Sequence, residues 1–284
     1  MRLFIFGLGY TAQHFVRGFG HHFSHCVGTV RSDEKIATLA SENIAAVRFG
    51  GAEVSELLAQ SDGLLVSAPP RLHDPVLADY LEEMAASRLG RIVYLSTIGV
   101  YGHQDGGWVD ETTPPEPYSP RSSIRVEVER QWLDFAEQHG KTLHILRLAG
   151  IYGPGQNALH NLKNGTARRI NKPGQVFNRI HVEDIGKAIL AAFQVDLPGG
   201  LFNIADDEPA PPQDVIVHAA KLLGVEPPPE LDFATAPMSE MARSFYSKNQ
   251  RVSNRRMREI LGVDLSYPTY REGIEALFAQ GEGR

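Results

Sequence analysis

Residues 2–19 read RLFIFGLGYTAQHFVRGF, in which an apolar run is followed by two closely spaced glycines and then by an amphipathic stretch. The run 2–6 predicts a buried strand, and residues 11–19 have the apolar spacing of a helix. Gly7 permits the tight turn between them, and Gly9 lets the backbone approach a diphosphate at the positive N-terminus of the helix. The pattern G-x-G-x-x-A therefore predicts a dinucleotide-binding turn. Its predicted cofactor-binding residues are Gly7, Leu8, Gly9, Tyr10 and Thr11.

Strand patterns alternate with helical patterns through the first two thirds of the chain. The predicted strands are 2–6, 25–30, 45–49, 63–68, 91–97, 142–153 and 200–207. The predicted helices are 11–19, 54–60, 75–87, 124–139 and 179–194. Parallel strands need crossovers that are long enough to hold a helix. We therefore expect an α/β protein, with a Rossmann-type doubly wound parallel sheet and a smaller C-terminal substrate-binding part.

The alternation breaks after residue 155, where Asn, Gly and basic residues become frequent. We expect residues 1–155 to form the NAD(P)-binding Rossmann domain, with its sheet completed by residues 179–207. Residues 156–178 and 208–284 are expected to form the smaller substrate-binding part. The chain of 284 residues is long enough for one large domain with such an appendage.

Charge and composition argue against several classes of protein. The formal charge of −6 and the pI near 6.0 disfavour a binder of nucleic acid or of anionic membranes, because phosphate surfaces select basic partners. No apolar run reaches the ~20 residues that a membrane span needs, and the N-terminus lacks a leader pattern. Cys26 is the single cysteine, so no internal disulfide can form. We expect a cytoplasmic protein.

The end of the second predicted strand indicates which dinucleotide is preferred. An NAD site usually carries Asp or Glu there for the ribose 2′-hydroxyl, but this chain reads GTVRSDEK at 28–35. Arg31 and Ser32 suit a 2′-phosphate, because a guanidinium forms charge-assisted and bidentate bonds with it. We therefore predict NADP as the preferred cofactor, with NAD as the alternative if Asp33 binds the ribose.

Four further motifs extend almost to the end of the chain. They are YLSTIGVYG (94–102), LRLAGIYGPG (146–155), RIHVEDIGKAI (179–189) and YPTYREGI (267–274). With these motifs in this order, the chain resembles the NAD-dependent epimerase/dehydratase family, also called the extended short-chain dehydrogenases/reductases. The resemblance implies a Rossmann domain followed by a C-terminal substrate domain.

The resemblance also implies roles for residues near the carboxyl ends of three of the predicted strands. Ser96 and Thr97 match the family's hydroxyl residues beside the nicotinamide. The segment that lines the nicotinamide end is matched by Ala149, Gly150 and Ile151, and the loop under the adenosine-diphosphate half is matched by Ser67, Ala68 and Pro69.

The chain departs from the family in the stretch YSPRSSIRVEVERQW (118–132). The family's helix reads Tyr-x-x-x-Lys-x-x-x-Glu, and alignment on Glu129 puts Arg121 at the tyrosine position and Arg125 at the lysine position. The glycine turn also differs by one position from the family's usual form. Both departures are typical of the atypical members of the family.

Without that tyrosine, another group must transfer the proton in any reaction. Arg125 could hold the ribose of the cofactor, but a guanidinium stays protonated and cannot relay protons. Arg121 could bind an oxyanion or a substrate carboxylate. Thr97 and Tyr101 are the predicted proton-transfer residues, because both follow the fifth strand's carboxyl end, where ligands bind in open parallel sheets. Tyr118, Ser96 and His181 remain alternatives, and Tyr101 could equally be a packing residue.

The segment LKNGTARRINKPGQVFNR (162–179) is rich in cations, and its position in the family makes it a wall of the substrate site. Arg168, Arg169 and Arg179 are therefore predicted to bind a small anionic metabolite. The histidines at 21, 22 and 25 have no carboxylate or cysteine at ligand spacing, so we expect no metal.

The leading hypothesis is an NAD(P)-dependent oxidoreductase or epimerase/dehydratase of the atypical extended class, acting as a monomer or a homodimer. The alternative is a non-catalytic sensor or regulatory protein that binds NADP(H).

Overall fold

The computed structural model describes residues 1–283 and contains a seven-stranded sheet, three two-stranded sheets and helices packed around them. The strands are β1 (Arg2–Phe6), β2 (His25–Val30), β3 (Ala45–Arg48), β4 (Gly63–Val66), β5 (Arg91–Thr97), β6 (Trp108–Val109), β7 (Thr142–Leu148), β8 (Gly150–Tyr152), β9 (Arg169–Asn171), β10 (Arg179–His181), β11 (Gly200–Ile204), β12 (Glu230–Asp232) and β13 (Arg251–Val252).

The helices are α1 (Tyr10–Phe19), α2 (Asp33–Ser41), α3 (Glu53–Ala59), α4 (Pro75–Ala86), α5 (Pro120–Gln138), α6 (Ala158–Lys163), α7 (Val182–Gln194), α8 (Pro212–Leu223), α9 (Glu240–Phe245), α10 (Arg255–Glu259) and α11 (Tyr270–Ala279). Short 3₁₀ turns span Gly20–His22 and Ile98–Tyr101. Throughout residues 1–283, no helix combines the length and the apolar character needed to cross a membrane.

The large sheet has the order β3-β2-β1-β4-β5-β7-β11, and every pair of neighbours is parallel. The chain builds outward from β1 to β3 and then crosses over to β4 on the other side of β1. A crevice forms where the strand order reverses in this way, and ligands bind there in open α/β sheets. The predicted Rossmann-type doubly wound sheet is therefore confirmed, with its switch point between β1 and β4.

Both faces of the sheet are buried, which explains the nearly continuous apolar strands. Successive residues of a strand point to opposite faces, so Val93 and Leu95 pack on the face covered by α1 and α7. Ile92 and Tyr94 pack on the opposite face, against α4 and α5. These two hydrophobic clusters hold the carboxyl ends of the strands in place.

Two smaller hydrophobic clusters lie outside the sheet. One joins α6, α8 and α11, and the other lies around Ile170, Ala236 and Tyr246. Both clusters consist mainly of residues from the predicted substrate-binding part. The boundaries of that part stay a prediction, and its last residue, Arg284, lies outside the described residues. Val252 and Met257 pack instead into the cluster beside the large sheet, so the segment that contains β13 and α10 connects the two regions.

Some elements have bounds in the structure that differ from the predicted ones. The predicted strand 142–153 is two strands, because the chain leaves its large-sheet neighbours after β7 and β8 pairs with β10. The predicted helix 124–139 begins at Pro120, where Ser119 and Ser122 form a capping box. The first residues of the predicted helix 179–194 are the strand β10. Helix α2 was not predicted, although Ser32 caps it through the backbone N–H of Lys35.

Candidate active site

The turn after β1 has the shape that its glycines predict. Gly7 has a φ of +93°, and a Cβ at this position would lie 2.9 Å from the backbone nitrogen of Ala68, so only glycine fits. A Cβ at Gly9 would meet no atom within 4 Å, because this residue faces open space. Gly9 is the N-cap of α1 and no side chain caps the helix there. The first N–H groups of α1 are therefore directed toward a space that suits a diphosphate.

A cavity of about 500 Å³ opens beside this turn, at the switch point of the sheet. Thr29 holds its floor, since its hydroxyl accepts a hydrogen bond from the Gly7 N–H at 3.0 Å and its carbonyl accepts one from the Leu8 N–H at 2.8 Å. The predicted cofactor residues that line this cavity are Gly7, Leu8, Gly9, Arg31, Ser32, Ser67, Ala68 and Pro69. The size, the glycines and the uncapped helix fit the adenosine-diphosphate half of a dinucleotide.

The charged residues beside this cavity bear on the choice of cofactor. Arg31 and Lys35 both line it, and Lys35 lies in the first turn of α2. Asp33 does not line it, because its carboxylate pairs with Arg48 at 3.2 Å. Two cations and no carboxylate from residues 1–283 therefore line the cavity.

A second cavity, of about 400 Å³, lies at the carboxyl ends of β5 and β7. The residues after these strands form one wall, and the smaller part of the chain supplies the other. The second cavity is lined by Thr97, Ile98, Leu148, Ala149, Gly150, Ile151, Tyr152, Val176, Phe177, Asn178, Arg179, Phe245, Lys248 and Gln250. Four residues predicted at the nicotinamide end, Thr97 and 149–151, thus share one cavity.

A third cavity, of about 470 Å³, adjoins the second and shares Ile151, Tyr152 and Arg179 with it. Arg168 lines this third cavity, and its guanidinium donates to the carbonyl of Ala167 at 2.9 Å. Arg179 donates to the carbonyls of Phe177 and Ala210.

Arg169 is directed away from the three cavities. Its guanidinium pairs with Glu230 at 2.9 Å, across the small sheet formed by β9 and β12. Two of the three predicted substrate arginines therefore reach the same cleft, and the third stabilises the small sheet.

Thr97 ends β5 and caps the 3₁₀ turn that follows. Its Oγ1 accepts a hydrogen bond from the Gly99 N–H at 3.0 Å. The capping bond orients the side chain at the second cavity and uses the oxygen only as an acceptor, so the hydroxyl proton can be donated to a ligand.

Ser96 and Tyr101 belong to a buried polar network below that cavity. The Ser96 hydroxyl donates to Glu129 at 2.5 Å, and the Tyr101 hydroxyl donates to Asn203 at 2.8 Å. Arg147 joins them, because it donates to both Glu129 and the Tyr101 oxygen. Burial raises the pKa of Tyr101. The structure thus places Tyr101 as a fully buried network residue and Ser96 beneath the site rather than in it.

The two arginines of the replaced tyrosine–lysine pair differ in position. The Arg125 guanidinium donates to the hydroxyl of Tyr94 and to the carbonyl of Leu95, both at 3.0 Å, so it lies along β5. Arg121 is exposed in the first turn of α5. Neither lines any of the three cavities described above.

Tyr10 and Thr11, although predicted to bind the cofactor, line none of the three cavities. The Tyr10 hydroxyl donates to the carbonyl of Pro154 at 3.0 Å and so links α1 to the loop after β8. Thr11 is buried under the first turn of α1. In the part of the chain that the structure describes, no three His, Cys, Asp or Glu side chains converge in a group that could hold a metal ion.

Sequence reasoning missed several residues that line the cavities, chiefly Lys35, Phe49 and Lys248. Lys35 could have been found, because it lies four residues after Arg31 at the start of a capped helix. Lys248 carries no local signal. Its position depends on β13 pairing with β6 and on hydrogen bonds to residues 174–176, which are distant in sequence.

Comparison with known proteins gives a consistent result. The sequence profile of the NAD dependent epimerase/dehydratase family matches residues 76–205. Protein YeeZ of Escherichia coli (strain K12) is 32% identical over 182 residues, which cover 61% of this chain and 63% of YeeZ, so the match spans less than two thirds of that relative. A Streptomyces 3-diazoavenalumate denitrifying reductase is 31% identical over 219 residues, covering 72% of this chain and 70% of the reductase.

Solved structures extend the similarity to the whole chain. A functionally unknown conserved protein from Silicibacter pomeroyi DSS has a TM-score of 0.92 and 45% identity, and the match covers 99% of both chains. The UDP-glucuronic acid 4-epimerase from Bacillus cereus in complex with NAD has a TM-score of 0.78 at 18% identity, with 100% of this chain and 99% of that one covered. At that identity the second likeness concerns the fold alone.

Proposed function

The chain belongs to the NAD-dependent epimerase/dehydratase family, and from that premise we propose that it is an NAD(P)-dependent oxidoreductase or epimerase/dehydratase acting on a small anionic metabolite. The observation that carries this proposal is the pair of cavities at the carboxyl edge of the sheet. One lies beside the turn of Gly7 and Gly9, and the other lies at the ends of β5 and β7. A cofactor bound across both would bring its reactive ring beside Thr97.

We propose NADP as the preferred cofactor. Arg31 and Lys35 line the first cavity, whereas Asp33 pairs with Arg48 and does not line it. Two cations favour a 2′-phosphate over a ribose hydroxyl, because each adds a charge-assisted hydrogen bond. NAD remains the alternative cofactor.

The chain's own residues have distinct tasks in this proposal. The α1 N-terminus would hold the diphosphate, and residues 149–151, which line the second cavity, would contact the nicotinamide end. Thr97 donates a hydrogen bond to the reacting oxygen of the substrate, while the buried Glu129–Arg147 network keeps the end of β5 in place. The bound dinucleotide would supply hydride transfer.

Cations in the second and third cavities support an anionic substrate. Arg168, Arg179 and Lys248 line these cavities, and no Asp or Glu is among the lining residues of either. A carboxylate or phosphate group would therefore find positive partners in these cavities.

Titration of the purified protein with NADPH and NADH tests the proposal. We expect saturable binding with NADPH bound more tightly, followed by loss of nicotinamide absorbance with at least one member of a panel of sugar nucleotides, keto acids and aldehydes. No binding at millimolar dinucleotide would refute the proposal. Tight binding that distinguishes NADPH from NADP⁺ without consumption by any panel member would favour the sensor alternative.

A further inference from the structure

Lys248 brings an amine into the second cavity, beside Thr97. Its Nζ lies 3.4 Å from the point that a Cβ on Gly99 would occupy, and Thr97 Oγ1 lies 3.3 Å from that same point. The Nζ also lies 5.4 Å from the ring centre of Tyr118 and 5.7 Å from that of Phe245. Among the described residues, no carboxylate pairs with it and no oxygen accepts a hydrogen bond from it, so its protons are available to a ligand in the cavity.

The backbone around Lys248 is held from both sides. Its carbonyl accepts a hydrogen bond from Gln175 at 2.7 Å, and the carbonyl of Tyr246, two residues earlier, accepts one from Lys172. On the other side, the Asn249 N–H donates to His103 at 3.0 Å. The carbonyl of Asn249 accepts hydrogen bonds from the backbone N–H groups of Gln104 and Gly106. The amine is therefore presented from a fixed backbone rather than from a free loop.

The surroundings of Lys248 make its ammonium easier to deprotonate than that of an exposed lysine. Burial among aromatic rings lowers the pKa of Lys248, and the positive charge of Arg121 lowers it further. Arg121 and Tyr118 approach from the start of α5, and Arg179 lines the same cavity. A lysine whose pKa moves toward neutrality becomes an efficient general acid and base.

We propose that Lys248 is the proton donor of this enzyme and replaces the tyrosine whose position is taken by Arg121; the inference deepens the proposed function. In the reductive direction, a substrate carbonyl carbon gains a hydride from the reduced nicotinamide dinucleotide. The π electrons move to the carbonyl oxygen, and that oxygen takes a proton from the Lys248 ammonium. An alcohol, the oxidised dinucleotide and a neutral amine result, and the reverse reaction returns the proton to Lys248. Thr97 donates a second hydrogen bond to the same oxygen.

Competitive labelling tests the state of the amine without any substrate. The full-length protein is acetylated with trace acetic anhydride from pH 6 to 11, and peptides are read by mass spectrometry, with the exposed Lys221 as the internal reference. We expect the pH midpoint of acetylation to be lower for Lys248 than for Lys221. In Arg121→Gln the Lys248 midpoint should shift to higher pH, and bound NADP⁺ should protect Lys248 from acetylation. A midpoint equal to that of Lys221 and unmoved by Arg121→Gln would overturn the proposal, whether or not a dinucleotide binds.

Variants then separate proton transfer from mere attraction of an anion. Using NADPH and the carbonyl compound that the wild type reduces, we expect Lys248→Met and Lys248→Arg each to lose about 100-fold or more in kcat. Their Kd for NADPH should stay within about twofold of wild type, which separates this test from one of cofactor binding. Arginine keeps the charge but cannot release a proton. Partial rescue of Lys248→Ala by methylammonium would support the proposal, whereas wild-type kcat in Lys248→Arg would refute it. Lys221→Met is the matched control.

Discussion

Arg147 and Glu129 form a buried ion pair directly beneath the second cavity, with Arg147 Nη2 lying 2.6 Å from Glu129 Oε2 and both side chains at most 5% exposed. The pair joins β7 to α5 and extends through Ser96 and Tyr101 to β11. Three strand ends and one helix are thereby connected by hydrogen bonds below the proposed reacting centre. The network explains why Ser96 and Tyr101 are polar without facing the cavity.

Removal of one member of this pair should destabilise the whole fold. Arg147→Met leaves the Glu129 carboxylate buried without its partner, which costs about 3–5 kcal/mol of unfolding free energy. Urea denaturation, followed by circular dichroism, measures the unfolding free energy of the variant and of wild type. Arg130→Met is the matched control on α5, the helix that carries Glu129, because Arg130 pairs with Glu127 at the exposed surface and its loss should change stability little. Equal unfolding midpoints for the two variants would contradict this account.

The two glycines of the first turn should respond differently to alanine. Gly9→Ala should leave the melting temperature near that of wild type and abolish measurable NADPH binding, because its methyl group enters only the open space of the cavity. Gly7→Ala should lower the melting temperature as well, since its Cβ meets the backbone of Ala68 and its φ is positive.

Calorimetry and thermal melting measure both effects. Gly18→Ala is the control in the same helix, where a Cβ would meet nothing and binding should be unchanged. Wild-type affinity for NADPH in Gly9→Ala would show that the diphosphate does not lie at this turn.

The cations of the first cavity should determine the choice of dinucleotide. The double variant Arg31→Ala, Lys35→Ala is expected to weaken NADPH binding by about 10- to 100-fold, corresponding to about 1.4–2.8 kcal/mol, and to change NADH binding little. Fluorescence titration with each dinucleotide gives the two dissociation constants. Arg48→Ala is the control, because Arg48 pairs with Asp33 outside the cavity. A parallel loss for NADH and NADPH would refute 2′-phosphate recognition.

His181 should make the protein less stable in acid. It is buried, its Nδ1 accepts the Glu183 N–H, its Nε2 has no partner within residues 1–283, and burial lowers its pKa to about 4 from 6.5. The unfolded chain therefore binds more protons between pH 6.5 and pH 4, and stability falls as pH decreases through this window.

The substitution His181→Asn keeps an acceptor for the N-terminus of α7 and removes the titration. Denaturation at several pH values gives the unfolding free energy of the variant as a function of pH. Its slope between pH 4 and 6.5 should be smaller than that of wild type by up to about 1.4 kcal/mol per pH unit. The control substitution His22→Asn replaces an exposed histidine and should leave the pH dependence of the unfolding free energy as in wild type. A slope in His181→Asn that matches wild type would show that His181 is not the group that titrates.

Local patterns in the sequence were enough to predict the sheet and the glycine turn beside the first cavity. The strand, glycine turn and helix of residues 2–19 depend on neighbours within a few positions, so periodicity and glycine conformation predict them directly. Residues 67–69 and 149–151 were assigned through the resemblance to the epimerase/dehydratase family rather than through periodicity.

Contacts between distant segments were decided only by the tertiary structure. Tyr101 lies at the end of the correct strand, yet its hydroxyl is enclosed by Arg147 and Asn203, which are remote in sequence. Lys248 looks like any solvated lysine in the sequence, but the pairing of β13 with β6 and the bonds to residues 174–176 bring it beside Thr97. Local pattern specifies backbone conformation, whereas burial and hydrogen-bond partners depend on which segments pack together, and those partners determine which polar side chains can meet a ligand.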